Sequence, residues 1–167
     1  MLTWMATALL LAASPLPPSI QVSGTGTDPS ACAVTTPNGR AISEDARTRA
    51  GLPPSSMFYG NDSLATMLWP DGTVVFRPGG PGSVLADGAL RMKFIWVKRP
   101  GATLRIEGTR LDGPAPSLRF DIPGGFDGEY FQPSALIFPA PGCWKVTARA
   151  GGKSLTFVTR VRHDMPR

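Results

Sequence analysis

Short runs of alternating apolar and polar residues, separated by glycine and proline, dominate the chain from residue 64 onward. In the run ALRMKFIWV (89–97), leucine, methionine, phenylalanine and tryptophan alternate with arginine, lysine and isoleucine. Successive side chains of a strand point to opposite faces, so this is the pattern of a strand with one buried face. A helix would need apolar residues three and four apart, and no run sustains that spacing. The sequence therefore predicts an all-β fold.

Eight segments carry this pattern. They are 64–69, 73–77, 89–97, 103–111, 117–122, 134–138, 143–150 and 154–161. The Asp71-Gly72 pair predicts a hairpin between the first two strands, and Gly151-Gly152 predicts one between the last two, because short hairpin loops need positive φ angles. About eight short strands spaced by turns predict an antiparallel β-sandwich of the immunoglobulin-like kind. The alternative is a small β-barrel.

Alternation also predicts which side chains enter the core. The predicted inward residues are Leu90, Met92, Phe94, Trp96, Leu104, Ile106, Leu118, Phe120, Ile122, Trp144, Val146, Ala148, Ala150, Leu155, Phe157 and Val161. Trp96 and Trp144 are therefore assigned to the core and not to a ligand platform. Cys143 falls on the opposite face of its strand, beside Lys145.

The first 31 residues look unlike the rest of the chain. The apolar run WMATALLLAAS (4–14) has the length of a signal-peptide core and is too short to span a bilayer. No lysine or arginine precedes it, so an apolar first strand or a misassigned start codon remain alternatives. We predict a signal peptide at 1–19, a flexible linker at 20–31, a wrapping loop segment at 32–63 and the sandwich at 64–162. The mature protein would be exported to the periplasm, cell surface or extracellular space, with no transmembrane span.

The chain has two cysteines, Cys32 and Cys143. Disulfides persist in exported proteins, and an even number of cysteines favours pairing, so we predict a Cys32–Cys143 bridge. The alternative is a reactive thiol at Cys143. A reactive cysteine needs a neighbouring group that stabilises its thiolate, and no histidine accompanies Cys143 in the sequence.

The chain lacks the residues that most enzyme reactions need. A catalytic nucleophile is usually activated by histidine, and the only one is His163, close to the end of the chain. Nucleotide-binding glycine motifs and zinc-ligand spacings are also missing. The net charge of +5 favours acidic partners, but the basic residues do not alternate with exposed aromatics as nucleic-acid binding would require. We predict no enzyme activity, catalytic residue, metal, cofactor or nucleic-acid partner.

One glycine-rich loop is the predicted place for ligand contacts. Its candidate ligand-binding residues are Phe126, Asp127, Glu129, Tyr130 and Phe131. We predict a non-enzymatic binding or scaffolding module of the cell envelope, whose partner is an envelope polymer or an exported protein. One alternative is a carbohydrate-binding protein or a small hydrolase using Asp121, Asp127 and Glu129. Another is an inhibitor or partner subunit of an exported enzyme.

Several motifs resemble those of an uncharacterised family of exported bacterial proteins. They are CAVTTPNG (32–39), GNDSLATMLWPDGTVVFRPGGPG (60–82), MKFIW (92–96), LRIEGTRLDGPAPSLRFDIPGG (104–125), FQPSALIFPAPGCW (131–144) and SLTFVTRV (154–161). The chain departs from that family at four positions, with Ala33 and Ile95 in place of proline, Val97 in place of tryptophan and Tyr59 in place of histidine. The resemblance implies export and the two cysteine positions, without a known activity. The segment PGCWKVTARAGG (141–152) also resembles the penultimate strand and turn of immunoglobulin-like bacterial modules.

Overall fold

The computed structural model describes residues 32–40, 43–49 and 51–164. The predicted signal peptide (1–19) and linker (20–31) lie outside these residues. The described elements are α1 (Glu44–Arg49), a 3-10 turn (Ser55–Met57), β1 (Phe58–Gly60), β2 (Leu64–Met67), β3 (Thr73–Phe76), β4 (Ser83–Val84), β5 (Leu90–Lys98), β6 (Arg105–Arg110), β7 (Arg119–Asp121), β8 (Phe131–Phe138), β9 (Gly142–Ala150) and β10 (Lys153–His163).

The strands form two sheets that pack face to face. Sheet I has the order β1-β2-β5-β8-β7, with β4 also paired to β5, and sheet II has the order β3-β10-β9-β6. Neighbouring strands are antiparallel except β3 and β10, which are parallel. The predicted all-β sandwich is confirmed, and two separate sheets exclude the alternative of a single closed barrel. The two strands that the sequence did not predict, β1 and β4, have three and two residues.

The core lies between the sheets and is built from the alternating faces of the long strands. Trp96 of β5 and Trp144 of β9 are both fully buried, as predicted. The Trp96 indole donates a hydrogen bond to the Ser134 hydroxyl at 2.8 Å, and the Trp144 indole donates to the Ala140 carbonyl at 3.0 Å. Each large ring is therefore buried with its one polar group satisfied, as a stable core requires.

The predicted hairpin at Asp71-Gly72 is wrong. β2 belongs to sheet I, whereas β3 crosses to sheet II and pairs in parallel with β10. The crossing is fixed by Gly72, whose carbonyl accepts hydrogen bonds from the Thr159 hydroxyl and the Arg160 amide. The hairpin at Gly151-Gly152 is confirmed, and both glycines have the positive φ angles that it needs.

The predicted inward position of Phe120 is wrong, because 45% of its surface is exposed. It lies on β7, a strand of three residues at the edge of sheet I. All three residues of β7 are exposed, because within the described residues this short strand has a neighbouring strand on one side only and its residues are left uncovered. Leu118, just before β7, is buried as predicted.

The first described residues close one side of the sandwich. Cys32 and Cys143 form the predicted disulfide, with a Cα–Cα distance of 5.5 Å. The Thr35 amide donates to the Val158 carbonyl at 2.8 Å, and the Thr35 hydroxyl accepts from the Val158 amide at 2.9 Å, which holds the segment against β10. The Asn38 side chain then bonds both the amide and the carbonyl of Gly60 in sheet I. Cys143 is on the same face as Lys145 but is buried beneath this segment.

The rest of the predicted wrapping segment covers part of the outer face of sheet I. α1 lies in this segment, and Arg47 donates to the carbonyls of Leu52 and Pro53. Leu52 packs on a second apolar cluster, which consists of Phe58, Ala65 and Val97 with Met67 at its border. The remainder of this outer face, toward the middle of β5 and β8, lies beyond the cover.

Candidate functional site

A groove of about 740 Å³ occupies the uncovered part of the outer face of sheet I. Its lining residues come from the 3-10 turn, from β2, β5, β7 and β8, and from adjoining loops: Met57, Met67, Leu68, Trp69, Pro70, Pro81, Arg91, Met92, Lys93, Phe94, Ile95, Asp121, Pro123, Phe131, Pro133, Ser134 and Ala135. Most of them are apolar. The volume and the lining are typical of ligand-binding pockets, which are mainly apolar clefts of several hundred Å³.

The floor of the groove is set by strand register. On β5 the residues that point outward include Lys93 and Ile95, and on β8 they pair with Ala135 and Pro133 respectively. Met67 and the half-buried Trp69 form one wall, and the Trp69 ring packs edge-on against Phe94 at 5.4 Å. The indole is thus held in place by the core beneath it while it lines the groove.

One side of β5 has a gap in its strand neighbours at this groove. β2 pairs with residues 96–98 and β4 pairs with residues 90–91. Between them, residues 92–95 have no strand neighbour on that side in the described chain, because the chain leaves β2 for sheet II and returns only at β4. The groove extends to this gap, where its lining includes Trp69, which follows β2, and Pro81, which precedes β4.

Three charged side chains are also among the lining residues of the groove, Arg91, Lys93 and Asp121. Arg91 and Asp121 form an ion pair with an N–O distance of 3.5 Å. Lys93 is exposed, and no ion pair joins it to a carboxylate among the described residues. An apolar floor with an unpaired cation favours a ligand that is mostly apolar and carries an acidic group.

The structure brings one of the five predicted ligand residues to this groove. Phe131, the first residue of β8, lines it and packs edge-to-face against Phe126 at 5.8 Å between ring centroids. Asp127 and Glu129 are exposed in the loop, and Tyr130 is 37% exposed. These four loop residues lie outside the lining of the groove. Their role in ligand binding stays a prediction.

Sequence reasoning missed the residue that holds this loop. Lys98, the last residue of β5, is fully buried, and its ammonium donates to the carbonyls of Phe126 at 3.3 Å and Glu129 at 3.4 Å. Its backbone amide donates to the Tyr130 carbonyl at 2.8 Å. Burial lowers the pKa of Lys98, while the Asp127 and Glu129 carboxylates act to raise it. Nothing in the sequence separates this lysine from Lys93, the exposed lysine of the same strand.

We expect Lys98→Met to lower the free energy of unfolding by about 1 to 3 kcal/mol, because two loop carbonyls would lose their donor. The Gly101 amide, which donates to the Asp127 carbonyl at 2.6 Å, should also exchange its hydrogen faster. Urea denaturation and amide exchange measure the two effects. Lys93→Met, at an exposed lysine of the same strand, is the matched control and should cost less than about 0.5 kcal/mol. Equal losses in both variants would contradict the role assigned to Lys98.

The lowered pKa of Lys98 gives this prediction a pH dependence. In the interval just below the ordinary lysine pKa of 10.5, the unfolded chain binds more protons than the folded chain does. The stability of the wild type should therefore rise relative to Lys98→Met as the pH approaches 10.5 from below. A stability difference that falls over this interval would contradict the direction of the shift.

The fold and the groove together define an all-β sandwich with an apolar cleft on one outer face. No protein-family model matches this chain, and no curated protein matches it either. In the described part of the chain, no three His, Cys, Asp or Glu side chains come together as a metal site would need. No described helix has both the length and the apolar character to cross a membrane.

Proposed function

We propose that this protein is a binding module of the cell envelope that holds a mainly apolar ligand in the groove of sheet I. The observation that carries this proposal is the groove itself, an apolar cleft left open between the wrapping segment and the loop held by Lys98. Exposed apolar area of this kind usually marks a place where another molecule is bound. Export is part of the proposal, and the Cys32–Cys143 disulfide supports it because such bonds persist in oxidising compartments.

The groove favours binding over the hydrolase alternative. A carboxylate hydrolase needs two carboxylates that face one substrate bond. Asp121 lines the groove and is paired with Arg91, whereas Asp127 and Glu129 lie in the loop outside the groove lining. The roles as inhibitor or partner subunit of an exported enzyme are forms of binding, and the same groove would serve them.

The proposal predicts that an apolar dye binds at Ile95. N-phenyl-1-naphthylamine should fluoresce strongly with the wild type, and Ile95→Asp should weaken its binding at least about tenfold, because an apolar dye would then cover a carboxylate. Ile137→Asp is the matched control. Ile137 is also a half-buried isoleucine on the outer face of sheet I, but it lies outside the groove lining.

Circular dichroism and thermal unfolding verify that both variants fold before the dye is added. Strong binding to the wild type and to Ile137→Asp, with a loss in Ile95→Asp, supports the proposal. Absence of binding to the wild type, or equal binding to all three proteins, would contradict it.

A further inference from the structure

We infer that the groove binds an extended peptide segment of a partner protein, which pairs with the backbone of β5 in the gap beside Lys93. This inference rests on the proposed function and names the ligand class for the same groove. Peptides often bind by adding a strand to a sheet, with backbone hydrogen bonds for affinity and neighbouring side chains for specificity.

The hydrogen bonds around β5 show which backbone groups face the gap. The Lys98 amide donates to the Tyr130 carbonyl, on the β8 side. The carbonyl of Ile95 accepts from the Thr66 hydroxyl, on the β2 side. Because alternate residues of a strand direct their backbone groups to opposite sides, the amide and carbonyl of Lys93 face the same side as the carbonyl of Ile95. That side is the gap.

Within the described chain, the gap gives the Lys93 amide and carbonyl no strand to pair with. Backbone amides and carbonyls that become covered need hydrogen-bond partners, since an unpaired group costs free energy comparable to a lost hydrogen bond. An acyl chain would cover these two groups without bonding them. An extended peptide can accept from the amide and donate to the carbonyl, so the polar edge of the groove favours a peptide over a lipid.

The surroundings of the gap specify the peptide further. The residue opposite Lys93 would place its side chain beside the Lys93 ammonium on the outer face, where opposite charges stabilise a cross-strand pair. Toward its two ends, the peptide would approach Trp69, which follows β2, and Pro81, which precedes β4. The predicted ligand is therefore a short extended segment with an acidic residue between apolar ones.

A library of displayed seven-residue peptides tests this inference. Peptides are selected for binding to the wild type, and those that also bind Ile95→Asp are removed. The remaining peptides should be enriched in acidic residues flanked by apolar ones. In a selected peptide, N-methylation at the residue that pairs with Lys93 should weaken binding about tenfold, because a backbone donor is lost and a methyl group enters the gap. N-methylation at the adjacent residues should have a smaller effect.

A charge exchange identifies the residue opposite Lys93. Lys93→Glu should weaken the binding of the acidic peptides about two- to fivefold. Replacing the acidic residue of a peptide by lysine should restore its binding to that variant. Lys145→Glu is the control, because Lys145 is an exposed lysine on the outer face of sheet II and should leave peptide binding unchanged.

The outcomes separate the two proposals. If the dye binds the groove but the library yields no peptide dependent on Ile95, the peptide inference is overturned and the groove proposal stands. Peptides that are insensitive to N-methylation, or palmitate that displaces the dye while no peptide does, would also overturn it. If neither dye nor peptide binds, both proposals fail.

Discussion

Replacing both cysteines, as Cys32→Ala with Cys143→Ala, should lower the free energy of unfolding by about 3 to 5 kcal/mol. The bond joins residues 111 positions apart, and closing so long a loop removes much of the conformational entropy of the unfolded chain. It also anchors the segment whose Thr35 bonds Val158, so the side of the sandwich that this segment closes should loosen first. Urea denaturation measures the loss, and hydrogen exchange at the Thr35 amide locates it.

Reduced wild-type protein is the control for this prediction. It should unfold at nearly the same urea concentration as the double alanine variant, because the covalent link, which both lack, should account for most of the loss. Alanine is chosen because Cys143 is buried, where a serine hydroxyl would need a partner. A loss below about 1 kcal/mol would mean that hydrogen bonds alone hold the segment in place.

The second large effect is expected for Trp144→Ala, which should cost about 3 to 5 kcal/mol. The ring is fully buried at the start of β9, lies 5.7 Å from Phe138 across the core and donates to the Ala140 carbonyl. Its removal leaves a large cavity and an acceptor without its donor. Thermal and urea unfolding measure the loss.

Trp69→Ala provides the comparison within the same protein. Trp69 is only half-buried and lines the groove, so its truncation should cost less than half as much as that of Trp144. It should also weaken binding of the dye, which Trp144→Ala should affect only through stability. Equal stability losses at the two sites would contradict the assignment of Trp144 to the core and Trp69 to the groove.

Alternation in the sequence was sufficient to predict the fold class and most strands, because burial of one face imposes a period of two on every long strand. It placed Trp96 and Trp144 in the core and Cys143 opposite Trp144. It could not assign strands to sheets. The Asp71-Gly72 pair satisfies the local needs of a hairpin, yet contacts with Thr159 and Arg160, nearly ninety residues away, direct the chain into the other sheet.

The candidate site was less predictable, because it too depends on how distant strands are assigned to sheets. Its lining comes from several separate segments, and the gap beside Lys93 exists only because β2 and β4 stop short of each other on β5. Aromatic content in a glycine-rich loop pointed to Phe131 but also to Phe126, whose ring packs against it. No sequence pattern indicated a structural role for Lys98, because only the fold shows that its ammonium is buried among loop carbonyls.

The central claim is that the outer face of sheet I holds the binding groove. Amide and indole chemical shifts, recorded as N-phenyl-1-naphthylamine is added to the wild type, test it most directly. We predict shifts at the amides of Met67, Lys93, Ile95 and Ala135 and at the Trp69 indole, with none at Thr147 or Thr156 on the outer face of sheet II. Shifts confined to the loop from Phe126 to Tyr130, or to sheet II, would contradict the claim.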